Sequence, residues 1–164
     1  MGERTEQEVS ADRLGAALAR SVIQRAEYDG DGVAGLARTM NLDLATVRAE
    51  LAYLAIVTMH FCVRSVLENT AERDAVLAAF YHTLWAAPPW QAHASGYHHR
   101  VRDYSAALND PHPELGRCYG LSRVFARLCG ADRDVAVIEF GARVYAEQLP
   151  PVLGLLRGVT IAAS

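Results

Sequence analysis

Apolar residues recur at helical spacing along almost the whole chain. Leu14, Leu18 and Val22 line one face of a segment over residues 10–28, and Ser10 or Asp12 can cap it. Asp29-Gly30-Asp31-Gly32 predicts a turn, followed by a short helix over 33–40 with Asn41 as its left-handed exit residue. That acidic run begins like a calcium loop, but Ala34 stands at the sixth position where glycine is needed and Met40 at the twelfth where glutamate is needed. A long helix is predicted over 44–67. Its middle, 51–63, has no charged residue on any side, and a helix apolar all round must be enclosed by others.

Asn69-Thr70-Ala71-Glu72 has the form of a capping box and opens a helix that Pro88-Pro89 should stop. Trp90, Ala94, Tyr97, Val101, Tyr104 and Leu108 alternate in steps of four and three, which predicts a helix over 90–108. Gly96 within it predicts the close approach of a neighbour. Residues 109–113 read as a connector, with Pro113 as the first residue of a helix ending at Gly130. Asp132 or Asp134 should start the last long helix, to residue 148, after which Pro150-Pro151 should bend the chain into a short apolar turn over 152–157. The pattern thus predicts an all-α fold. It is a single-domain bundle of six or seven helices around a buried central helix at 44–67, spanning 10–164, with residues 1–9 as a disordered leader.

Composition supports that class. Hydrophobic residues make up 51% of the 164 residues, and alanine supplies a third of them, which favours closely packed helices over sheet. β-branched runs are scarce, and Ile56-Val57-Thr58 lies in a segment that reads better as helix. The sixteen basic residues are all arginine, scattered rather than clustered, as GC-rich bacterial coding would give. With a net charge of −3 there is no general attraction to nucleic acid or to anionic membranes. Residues 1–6 lack the apolar core of a signal peptide, and the longest charge-free stretch is broken by two prolines, so no membrane segment is expected. Cys62, Cys118 and Cys129 are odd in number and far apart, which fits reduced thiols and a cytoplasmic location.

Candidate chemistry concentrates in one place. Residues 75–99 carry no charge, yet hold Trp85, Trp90, His82, His93, His98 and His99. Exposed aromatics with few charges suit a subunit contact, which makes Trp85 and Trp90 the candidate interface residues of a homo-oligomer, most simply a dimer. Just beyond, His93, Tyr97, Arg100 and Tyr104 fall nearly on one line of the predicted helix. Imidazole, phenol and guanidinium on one side can line an interhelical ligand pocket, and His60, in the uncharged middle of the central helix, can join them. Metal sites are not expected. His60 and Cys62 point to different faces, as do His98 and His99, and neither Glu-x-x-His nor HExxH occurs. No nucleophile motif or phosphate loop marks a catalytic residue, and no motif names a cofactor.

The segment 36–51 resembles a bacterial helix-turn-helix. Ala37 occupies the close-packing position of the first helix and Asn41 the place of the usual turn glycine, while Thr46, Val47, Arg48 and Leu51 fit a recognition helix. The resemblance covers sixteen residues, and its recognition helix carries only Arg48, offset by Asp43 and Glu50, so nucleic-acid binding ranks last. The first functional expectation is a non-catalytic oligomerising or protein-interaction module. The alternative is a small-ligand or cofactor-binding helical protein, with His60, His93, Tyr97, Arg100 and Tyr104 around a pocket. A DNA-binding regulator is the second alternative.

Overall fold

The computed structural model describes residues 7–28 and 30–162, and these form an all-α bundle with one small strand pair. Eight helices are present among them: α1 (Ala11–Tyr28), α2 (Gly30–Thr39), α3 (Leu44–Val66), α4 (Thr70–Ala86), α5 (Pro88–Gln91), α6 (Ala94–Asn109), α7 (Gly116–Leu128) and α8 (Val135–Arg157). Helix α3 is the centre. It packs against α1, α2, α4, α6, α7 and α8, and buries Leu54, Ile56, Val57, Met59 and Val63 almost completely. It is also the one described helix long and apolar enough to cross a membrane, and most of it is covered by its neighbours.

Local signals set most boundaries. The Ser10 hydroxyl accepts the Arg13 N–H at 3.3 Å and starts α1, whose Leu14, Leu18 and Val22 are buried as the spacing predicts. Asn41 has φ 53°, and the bonds Leu42 N–H to Ala37 O (2.8 Å) and Asn41 N–H to Arg38 O (3.4 Å) complete a Schellman turn after α2. Asp43 caps α3 through the Thr46 N–H at 2.8 Å. Asn69 caps α4, and its side-chain amide donates to Glu72 at 3.1 Å. Helices α1 and α4 pack most extensively. Gly15 permits this, since a Cβ there would lie 2.7 Å from the Ala79 Cβ and would also press on the backbone at Val76 and Phe80.

Five expectations are corrected. Gly30 to Gly32 belong to helix α2 and not to the predicted turn, and Asp29 lies outside the described residues. Pro88-Pro89 stops α4, but a short helix intervenes before α6, because Pro88 suits a first helical turn; this makes eight helices rather than seven. Helix α7 starts at Gly116 rather than Pro113: His112 Nδ1 accepts the N–H groups of Glu114 and Leu115, and His112 O accepts that of Gly116, holding residues 112–115 in a turn.

The fourth concerns Pro150-Pro151, which do not end the last helix. α8 runs through them to Arg157. Pro151 has no N–H for the carbonyl of Glu147, and Arg25 Nη1 donates to that oxygen instead, at 3.0 Å. The last correction concerns residues 7–9 of the expected leader, while residues 1–6 lie outside the described residues. Gln7–Val9 (β1) pairs in parallel with Val159–Ile161 (β2), and the Ala162 N–H reaches Val9 O at 3.0 Å. All three residues of β2 are β-branched, a strand signal in plain view.

Candidate functional site

The stripe Arg48, Leu51, Ala52 and Ala55 of α3 faces α1, α2 and α8 across a gap. Where large side chains would interlock, Ala26, Ala52, Ala55 and Ala87 contribute only methyls. The result is a cavity of about 470 Å³, within the size range of small-molecule sites. Trp90 closes one side, 5% exposed and edge-on to His93 with ring centroids 6.0 Å apart.

Among the described residues, four polar side chains interrupt the apolar lining: Arg25, Arg48, His93 and Gln148. Gln148 is 3% exposed. Its Nε2 donates to Ala55 O at 3.0 Å, which fixes the amide orientation, while its Oε1 has no partner in the protein among the described residues. Arg25 lines the same cavity from α1. One terminal nitrogen bonds Glu147 O, the other binds the Glu147 carboxylate at 2.9 Å, and the buried Nε is left without a partner among the described residues. Pro151 therefore shapes the site indirectly, by freeing the carbonyl that orients this guanidinium. The Arg48 side chain is exposed at the rim.

The five residues expected to line one pocket are divided by the structure. Only His93 reaches this cavity. Arg100 turns to Glu50, its Nε 2.7 Å from Oε1, and the fully buried Tyr104 donates to Glu50 Oε2 at 3.3 Å. Glu50 is 1% exposed, and burial pushes its carboxyl up against the opposing pull of Arg100. Tyr97 is buried, with its hydroxyl bonded to that of Tyr81, which in turn meets His60 Nδ1 at 2.7 Å. His60 also lines a separate polar cleft with Arg64, Ser65, Ser105 and Asn109. The expected single face of α6 thus serves three environments, because its successive turns meet different neighbours. Gly96 does mark a close approach, with the Tyr53 hydroxyl against its backbone and donating to His93 O at 3.3 Å.

The candidate interface residues pack within the chain. Trp90 is buried within its own chain, and half-buried Trp85 stacks on Tyr81 at 5.9 Å. In the helix-turn-helix segment, Thr46 is tied to Asp43, Arg48 faces the cavity rim, and Glu50 enters the core. Burial raises the Cys62 thiol to about 11 and the Cys129 thiol to about 12, so neither is an activated nucleophile.

Burial holds the His60 imidazole below its ordinary value of 6.5, aided by Arg64 and Arg73, and burial also lowers His93. Both rings then stay neutral in the fold at pH values where the unfolded chain takes up protons. Their contribution to stability is whole above 6.5 and is lost as pH falls through the lowered values. Glu50 acts oppositely, since its raised carboxyl binds a proton more readily in the fold. Replacing His60 and His93 together by glutamine is expected to flatten the fall of the urea midpoint between about pH 6.5 and about pH 5. An unchanged slope would place the acid sensitivity elsewhere.

Compared with family models, curated proteins and solved structures, the chain matches none.

Proposed function

We propose that the protein binds a small, mainly apolar molecule in the cavity between α1, α2, α3, α8 and the Trp90 corner. The observation that carries this reading is a cavity of about 470 Å³ whose mainly apolar lining is interrupted by a few polar side chains. Apolar walls supply binding energy, and a few placed polar groups orient the guest. A subunit contact through Trp85 and Trp90 is disfavoured because both rings are engaged inside the chain. Among the described residues the lining offers no carboxylate and no thiol, which favours binding over catalysis at this place.

The test is titration with Nile red, a neutral dye that brightens in apolar surroundings. Wild-type protein is expected to show saturable binding. Ala55→Phe, which fills the cavity from α3, should weaken it at least about tenfold while helical circular dichroism is preserved. Ala52→Leu provides a milder filling should the phenylalanine disturb folding. Absence of saturable binding to wild type, or unchanged binding by a folded filled variant, defeats the reading.

A further inference from the structure

On the opposite side of α3 from the cavity, His60, Arg64 and Ser65 meet Ser105 and Asn109 of α6 across a polar cleft of about 340 Å³, with Phe61 and Val101 as apolar walls. Arg64, Ser65 and Asn109 are exposed, and His60 and Ser105 are half-buried. The guanidinium, the two hydroxyls and the carboxamide have no hydrogen-bond partner among the described residues, nor has His60 Nε2, and neither that nitrogen nor the Ser105 hydroxyl is enclosed. Burial, Arg64 and Arg73 keep the His60 ring neutral at pH 7.5, so it carries one N–H. The chain behind it decides which nitrogen holds that hydrogen. Buried Tyr97 has one acceptor for its hydroxyl among the described residues, the Tyr81 oxygen. Tyr81 then donates to His60 Nδ1 at 2.7 Å, which leaves the ring hydrogen on Nε2. The reverse order would strand the Tyr97 hydrogen in the core, which is costly.

We infer that this cleft is a second binding site, for a small phosphate monoester, with Arg64 as its charged anchor and His60 as a neutral Nε2–H donor fixed by Tyr81. Five donor groups from two helices line it: a guanidinium, an imidazole, two hydroxyls and a carboxamide. The three outer oxygens of a phosphoryl group can use more of them than the two of a carboxylate. Charge points the same way. No carboxylate lines the cleft among the described residues. The Arg117 guanidinium lies 5.6 Å from the centre of the Phe61 ring, and its Nε donates to Leu108 O, on the same lining, at 3.0 Å. Neither Arg64 nor Arg117 is paired with a carboxylate among the described residues. Arg64 and Ser65 stand in the last turn of α3, and Asn109 ends α6. Each of those helix ends brings about half a negative charge, which the two guanidiniums outweigh. In a chain of net charge −3 the cleft is thus a local positive excess. A cation would be repelled by it, and a neutral guest would make no use of it. The organic part of the ester rests on Phe61 and Val101.

Calorimetric titration at pH 7.5 with phenyl phosphate, benzoate and benzyl alcohol separates the ligand classes. Phenyl phosphate is expected to bind at least about tenfold more tightly than benzoate, and benzyl alcohol more weakly still. Arg64→Met should weaken phenyl phosphate at least about tenfold with helical circular dichroism preserved, and Ser105→Ala, a second variant, by about threefold. Nitrogen NMR of labelled histidine should show the His60 hydrogen on Nε2. Tyr81→Phe should let both tautomers form and weaken phenyl phosphate by about threefold, although Arg64 is untouched. Ala55→Phe, which fills the apolar cavity, should leave phenyl phosphate binding unchanged. Benzoate or benzyl alcohol binding as tightly as the phosphate would overturn the ligand class. Full affinity in folded Arg64→Met, or its loss in Ala55→Phe, would place the anion elsewhere and overturn the site. A wild-type His60 protonated on Nδ1 would overturn its role as donor. Absence of saturable phenyl phosphate binding would overturn the whole inference and leave the cavity reading, tested by Nile red, standing.

Discussion

Arg100→Ala is expected to destabilise the fold by about 3 kcal/mol at neutral pH, measured by urea unfolding followed through tryptophan fluorescence. The guanidinium stands 2.7 Å from the carboxylate of Glu50, which is only 1% exposed. Breaking a buried ion pair strands the surviving charge, which typically costs about 3 to 5 kcal/mol; Arg100 is one-third solvated, so the lower end applies. The sign of the pH dependence identifies the cause. Burial already raises the Glu50 carboxyl and Arg100 holds it down, so without Arg100 it rises further. A proton then removes the stranded charge as pH falls, and the deficit of the variant should be smaller near about pH 5 than near about pH 7.5. Replacing both partners by methionine should recover most of the loss, because an apolar pair strands no charge and the Tyr104 hydroxyl keeps the backbone carbonyl of residue 50 as a partner. A deficit below about 1 kcal/mol at both pH values would show that the pair is incidental to the fold.

Phe125→Ala should cost about 4 kcal/mol, the usual loss for a fully buried phenylalanine. The ring lies between Phe140, with centroids 6.5 Å apart, and the bare backbone of Gly141, where a Cβ would come within 2.7 Å of Cδ1. Gly141→Ala alone should therefore destabilise, although alanine is the better helix former by about 1 kcal/mol. In the Phe125→Ala background the same change should become stabilising, since the new methyl enters vacated space. A double-mutant cycle measures the reversal, and simple additivity of the two changes would disprove the coupling.

These contacts also show where the reading of the chain succeeds. Features whose cause is local are legible: the uncharged centre of α3, the Asn69 cap of α4 and the left-handed Asn41 all depend on residues within a few positions. Pro150-Pro151 are misread for the opposite reason. Their effect on α8 is decided by Arg25, which lies 122 positions from Glu147 in sequence. The candidate site divides the same way. His93 is recognisable as a polar group among aromatics, but Ala52 and Ala55 matter through what they leave empty, which depends on the helices opposite. Gln148 carries no signal until α8 turns it onto α3. Glu50 reads as an ordinary charge beside Arg48 because nothing local reveals that α6 will cover it.

The parallel pairing of Gln7–Val9 with Val159–Ile161 sets how the bundle bears load. Tension arriving through the chain before Gln7 and leaving after Ile161 pulls the two strands along their length in opposite directions. Their bonds are then sheared together rather than opened one after another. Three residues on each side act as a clasp, and force reaches the helices only after it yields as a unit.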